Sequence, residues 1–85
     1  LTSQLIRAVI SVPANIAEGH ARATRADYAR FVSIARGSLA ETETLLMLAE
    51  RMKLAEPSRV DPLLTLAEQI GRMLNRLHHR LREAP

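Results

Sequence analysis

Arginines at four-residue steps carry the chemistry this sequence can offer. Arg72, Arg76 and Arg80 recur once per helical turn with no acid between them, so a helix would line them up as one basic stripe. A guanidinium pairs two oxygens of a phosphate and never loses its charge, which suits such a stripe to nucleic-acid backbones. Arg22, Arg25 and Arg30 form a second candidate group. On a monomer each group alone is a weak signal, because a basic outer face is usually just solvated. Arginines near a helix C-terminus also answer the macrodipole. Repetition of the stripe around a symmetric assembly would make its phosphate contacts add.

A second constellation is polar and lies in apolar surroundings. Gln4, Arg7, Ser11, Asn15 and Glu18 fall on one narrow stripe of a helical wheel, while Arg36, Ser38 and Glu41 cluster further along the chain. Glu41 falls at the edge of an apolar arc, where a carboxylate would want a partner. With almost no side-chain bulk at Gly37 and Ser38, a neighbouring helix could come close. Asn15, Ser11 or Arg7 meeting Glu41 across that approach is the expected arrangement. A packing and register device is its leading reading; a ligand site and a solvated edge are the alternatives.

Other chemistries find little support. His78 and His79 are adjacent, so a helix points them about 100° apart, and with His20 they read as surface residues rather than a metal site. There is no cysteine, no glycine-rich phosphate loop, no Ser-His-Asp set and no pair of acids in a plausible cleft. The expected protein is therefore not an enzyme, and needs no metal or other cofactor. Glu41 is the one titratable group that could be named for catalysis.

These residues must be positioned by helices. The 85 residues are 47% hydrophobic yet only 2% aromatic, an inventory of Leu, Ile, Val, Ala and Met that builds helix packing rather than sheets. Residues 1–85 make one small domain, of a size often helped by oligomerisation. No apolar run reaches the length of a membrane span and no signal-peptide pattern opens the chain. With no cysteine, this fits a reducing cytoplasm. The sequence opens on Leu1 in mid-pattern rather than on Met, which raises the expectation of a segment upstream. The net charge is +3 and the pI about 10.6, but the charge is not spread evenly. Four arginines face one acid from His20 to Ala40; six acids face three bases from Glu41 to Gln69; Ile70 to Arg82 holds four arginines and two histidines with no acid.

Leu1 to Gly19 reads as a helix kinked at Pro13, since Leu1, Leu5, Ala8, Val9, Val12 and Ile16 keep their phase through the proline. Gly19 is a natural stop. After a connector from His20 to Ala23, Thr24 with Asp27 resembles a capping box. The helix it opens could run to about Lys53. Tyr28, Phe31, Val32, Ala35, Leu39, Thr42, Leu46 and Ala49 mark one part of its apolar arc; Ile34, Ser38, Leu45, Leu48 and Met52 mark the next. The arc approaches about 200°, against a little over 100° for a surface helix, so the helix is expected to pack on two sides. Another subunit is the expected second side. Leu54 to Pro57 is a turn, and Ser58 or Asp61 could cap the last helix. Leu63, Leu66, Ala67, Ile70, Met73, Leu74, Leu77 and Leu81 form its apolar face. Three helices joined by short turns imply antiparallel neighbours in an up-and-down bundle.

The segments LTSQLIRAVISVPANIAEGHAR and DYARFVSIARGSLAETETLL, with EQIGRMLNRL near the end, resemble the four-helix bundle proteins encoded within inserts of bacterial large-subunit ribosomal RNA genes. Half of the chain carries the likeness strongly, through the Pro-Ala-Asn-Ile-Ala-Glu-Gly and Ala-Arg-Gly-Ser runs. The resemblance implies a four-helix bundle whose first helix lies upstream of Leu1, assembled as a homopentameric ring. A related accessory protein of diversity-generating retroelements binds nucleic acid and a reverse transcriptase. By that likeness RNA or DNA, or a partner protein such as a reverse transcriptase, becomes an expected partner, and no membrane. It brings no catalytic residues. The function expected is a non-enzymatic, ring-forming protein that holds nucleic acid on a basic surface; the alternative is a protein-interaction scaffold.

Overall fold

The computed structural model describes residues 1–83. Three helices account for nearly all of them: α1, Thr2–His20; α2, Arg25–Arg51; and α3, Pro57–Arg82. Among the described residues there is no strand, and no helix is long and apolar enough to cross a membrane. The helix α2 lies between the other two, which do not pack against each other. The result is a slab of 48 × 21 × 13 Å, one helix layer thick. Contacts that join α1 to α2 and α2 to α3 run in opposite chain directions, so neighbours are antiparallel.

The core lies along α2. Val12 of α1, Val32, Ala35 and Leu39 of α2, and Ala67 and Leu74 of α3 are buried together, with Ile16, Tyr28, Ile70, Leu77 and Leu81 packed around them. Each sits where the 3.6-residue period places it on a face turned toward α2 or its neighbours. The remaining apolar side chains of α1 and α3 do not close over one another. Leu5, Val9, Pro13 and Ile16 on one side and Leu63, Leu66 and Ile70 on the other line a groove of about 500 Å³. Leu39, Thr42 and Leu46 of α2 also line it.

Several boundaries differ from the sequence reading. The first helix is continuous through Pro13 and also through Gly19, ending at His20. Gly19 is buried and its φ is not positive; it is a contact glycine, not a stop. Thr24 does cap α2, its Oγ1 accepting from the Asp27 amide at 3.1 Å. Neither Ser58 nor Asp61 caps α3. Glu56 is the N-cap and Pro57 the first helical residue, a position where the missing N–H costs nothing. The early start is held by Val60, 2% exposed, which anchors that first turn; Pro62 is carried inside the helix.

The C-terminus of α2 ends in a tight two-bond motif. The Leu54 amide donates to the Ala49 carbonyl at 2.9 Å and the Lys53 amide to the Glu50 carbonyl at 3.0 Å. This is the Schellman arrangement, which needs a left-handed residue at its hinge. Lys53 occupies it, at φ 60°, although a Cβ makes that conformation unfavourable. Replacing Lys53 with glycine should therefore stabilise the fold by about 1 kcal/mol. Urea unfolding, read as a higher midpoint at unchanged slope, measures it; an unchanged or lower midpoint would refute the hinge strain.

Candidate nucleic-acid interface

The antiparallel register of α2 and α3 brings the two basic blocks of the sequence to one end of the slab. Arg25, in the first turn of α2, donates from its guanidinium to the Arg80 carbonyl in the last turns of α3. This contact gives a second donor to a carbonyl at the helix C-terminus that also accepts the Glu83 amide at 3.3 Å. Arg22 and Arg30 both stand over the Phe31 ring, with guanidinium carbons 4.7 and 4.6 Å from its centroid. Phe31 is only half-buried. The sequence placed it on the core arc; its ring also carries the two cations, each a contact of about 0.5–1 kcal/mol at an exposed site. His20 meets the edge of the Tyr28 ring at 5.7 Å between centroids.

The candidate arginines differ in how free their charge is. Arg72 pairs with Glu68 and Arg22 with Glu18, each at 2.6 Å and one turn apart. Such exposed pairs contribute only a few tenths of a kcal/mol, so both arginines can exchange partners. Arg30 lies 3.9 Å from Asp27, a loose pair. Arg76 and Arg80 are exposed, and among the described residues no acid pairs with either side chain. Arg76 and Arg80 thus carry the least neutralised charge of the stripe, and Arg80 is the one that Arg25 reaches; Arg72, a turn before Arg76, is paired with Glu68.

Residues outside the six candidates belong to the same end. Arg82 and Arg36 both act on His78, which bonds through Nε2 to the Ser33 hydroxyl at 3.0 Å. His78 is half-buried and is not the surface residue expected. Burial holds its imidazole below the ordinary histidine range, and the positive charges of Arg36, Arg82 and His79 push the same way. The one-turn step from His78 to Arg82 was visible in the sequence. The alignment of α3 with Ser33 and Arg36 was not.

The polar constellation on α1 resolves differently from the expectation. Ser11, not Glu41, crosses the helix pair: its hydroxyl lies 2.7 Å from that of Ser38. Asn15 supports it, donating from Nδ2 to the Ser11 carbonyl and hydroxyl at 2.8 and 2.9 Å. Arg7 donates to Ser3 at 3.1 Å and Glu18 accepts from Arg22. Glu41 is exposed and lines a polar cleft with Gln4, Arg7, Ser11 and Ser38. Among the described residues no ion pair joins it to Arg7. A carboxylate at the rim keeps its water, so no buried partner is required. Arg36 leaves this cluster altogether, being on the side of α2 that faces α3. Among the described residues no group of histidine and acid side chains could hold a metal ion.

These features define an all-α protein of three long helices, polar at one seam and basic at one end. The family described as 23S rRNA-intervening sequence protein matches residues 1–76, and the chain belongs to that family. Among curated proteins none matches it.

Proposed function

We propose that this chain is a non-enzymatic, oligomeric helical-bundle protein of the cytoplasm that binds RNA or DNA through the basic end of α2 and α3. The observation that carries the reading is the meeting of two basic blocks about fifty residues apart in the chain: Arg25 reaches the Arg80 carbonyl, Arg30 and Arg82 line one pocket, and Arg22 shares the Phe31 ring with Arg30. Binding of this kind is electrostatic and tolerant of sequence, because guanidinium contacts to phosphate carry no base information. The apolar groove between α1 and α3 supports a four-helix bundle, completed by a helix preceding Leu1 in the same polypeptide. The exposed apolar residues on the outer side of α2 support assembly into a ring, a pentamer by resemblance.

Fluorescence anisotropy with a labelled RNA and a labelled DNA duplex, at about 50 and about 200 mM salt, tests the binding. Affinity should fall steeply with salt. An Arg76→Ala/Arg80→Ala variant should reduce the slope of log affinity against log salt by about 1 for each phosphate contact removed. No binding at low salt would overturn the reading. The second reading is a protein-interaction scaffold, for a partner such as a reverse transcriptase. It is favoured by Ile6, Ile10 and Leu66, each more than half exposed; its binding would survive high salt, since apolar contacts are not screened.

A further inference from the structure

A pocket of about 420 Å³ lies between the first turns of α2 and the last turns of α3. From α2 it takes Ala26, Ala29, Arg30 and Ser33, spaced so that they share one helix face; from α3 it takes His78 and Arg82, one turn apart, with the apolar Leu81 between them. The two alanines leave the room. Around that room stand two guanidinium groups, a hydroxyl and an imidazole, and no acid is among the lining residues. Arg36 adds a third positive charge acting on His78 from α2, and His79 acts from α3. Asp27 is engaged, loosely, with Arg30 at 3.9 Å, and Glu83 with His79 at 3.1 Å. Arg25 is turned to the Arg80 carbonyl. The pocket thus gathers like charges around a half-buried imidazole with no counterion provided by its walls, an arrangement that an anion would relieve.

We propose that this pocket is a binding site for a phosphate oxyanion, with Arg30 and Arg82 contacting its oxygens, the Ser33 hydroxyl donating to it, and His78 taking up a proton as it binds. Protonated His78 then donates from Nε2 to Ser33 Oγ, which frees the hydroxyl hydrogen for the anion. This site differs from the arginine stripe, because side chains of two helices meet at one shallow pocket rather than following a row along one helix. It rests on the nucleic-acid reading only for the source of the phosphate, whether a nucleic-acid end or free phosphate.

NMR of the full chain, following the His78 ring through a pH titration, tests the site. Inorganic phosphate should raise the His78 pKa by about one unit over sodium chloride at equal ionic strength, equivalent to about tenfold tighter phosphate binding to the protonated form. His79, outside the pocket, should move less. The shift should vanish in Arg82→Gln, and in Ala26→Glu, which puts an acid into the pocket from an exposed first-turn position that favours acids. A 5′-phosphorylated oligonucleotide that acts at lower concentration than phosphate and than its 5′-hydroxyl counterpart assigns the source to nucleic-acid ends; the reverse order assigns it to free phosphate. A His78 that responds to phosphate no more than to chloride would overturn the site. In that event salt-dependent binding retained by Ala26→Glu would leave the arginine interface standing without it.

Discussion

Replacing Gly19 by alanine should lower the melting temperature by about 4–8 °C for each kcal/mol lost, with a net loss of about 1–2 kcal/mol. Two effects compete. An alanine in the last turn of α1 gains some helix propensity over glycine, less than the roughly 1 kcal/mol of a helix interior. Against this, its Cβ would lie 2.8 Å from the Cβ of Phe31, 2.9 Å from Tyr28 Cδ1 and 3.2 Å from the Tyr28 carbonyl oxygen. The tyrosine ring could swing aside. The Phe31 Cβ and the Tyr28 carbonyl are fixed to the backbone of α2, so relief requires the two helices to part where the chain turns between them. Strain of that kind costs about 1–3 kcal/mol, and it outweighs the propensity gain. Gly71→Ala is the control. There the nearest atom to an added Cβ is a methyl of Leu39 at 3.5 Å, ordinary contact, so that variant should hold or slightly raise the melting temperature. Thermal unfolding of both, followed by circular dichroism, decides the matter; equal melting temperatures would show that α2 yields at Phe31.

The contrast between those glycines marks where sequence reasoning reaches and where it stops. Helical periodicity located three helices, the Thr24 cap, the two-sided arc of α2 and both basic blocks, because these depend on angles around one axis. It could not say which of two neighbours a given face of α2 meets. Arg36 was therefore grouped with Ser38 and Glu41, although it faces α3 and His78. Ser33 and His78 are 45 residues apart, and only the register of α2 against α3 brings them into contact. The same limit applies to the Ser11–Ser38 contact, where α1 meets α2 at Ser38 but not at Gly37, and the crossing partner is a hydroxyl instead of a carboxylate. Boundaries failed for a local reason. Ser58 and Asp61 are good caps, but burying Val60 and placing Pro57 at the first helical position favour a start one turn earlier. Lys53 carries no composition signal for a left-handed hinge; the Schellman bonds impose it.

Gly37 lies where that reasoning and the proposed assembly meet. Among the described residues nothing comes within 4 Å of where its Cβ would be, so none of the three helices makes the close approach inferred from its small size. An exposed glycine in mid-helix costs about 0.5–1 kcal/mol relative to alanine, and the fold of a single chain offers no return for it. Its surroundings point outward. Ile34 and Leu48 are each 42% exposed and Met52 56%, all on the same side of α2, with the polar cleft of Arg7 and Glu41 beside them. A second copy seated on this stripe would bury those side chains and bring its backbone against Gly37. Gly37→Ala should then stabilise the isolated chain by about 0.5–1 kcal/mol while weakening self-association. Overpacking of about 1–3 kcal/mol at a contact lowers its association constant about 5- to 150-fold, and a ring repeats that loss at every interface. Gly37→Leu should dissociate the assembly altogether while the monomer stays helical. Sedimentation velocity over a range of concentrations separates the effects. If both variants assemble as the unsubstituted chain does, the ring is not built on this face of α2.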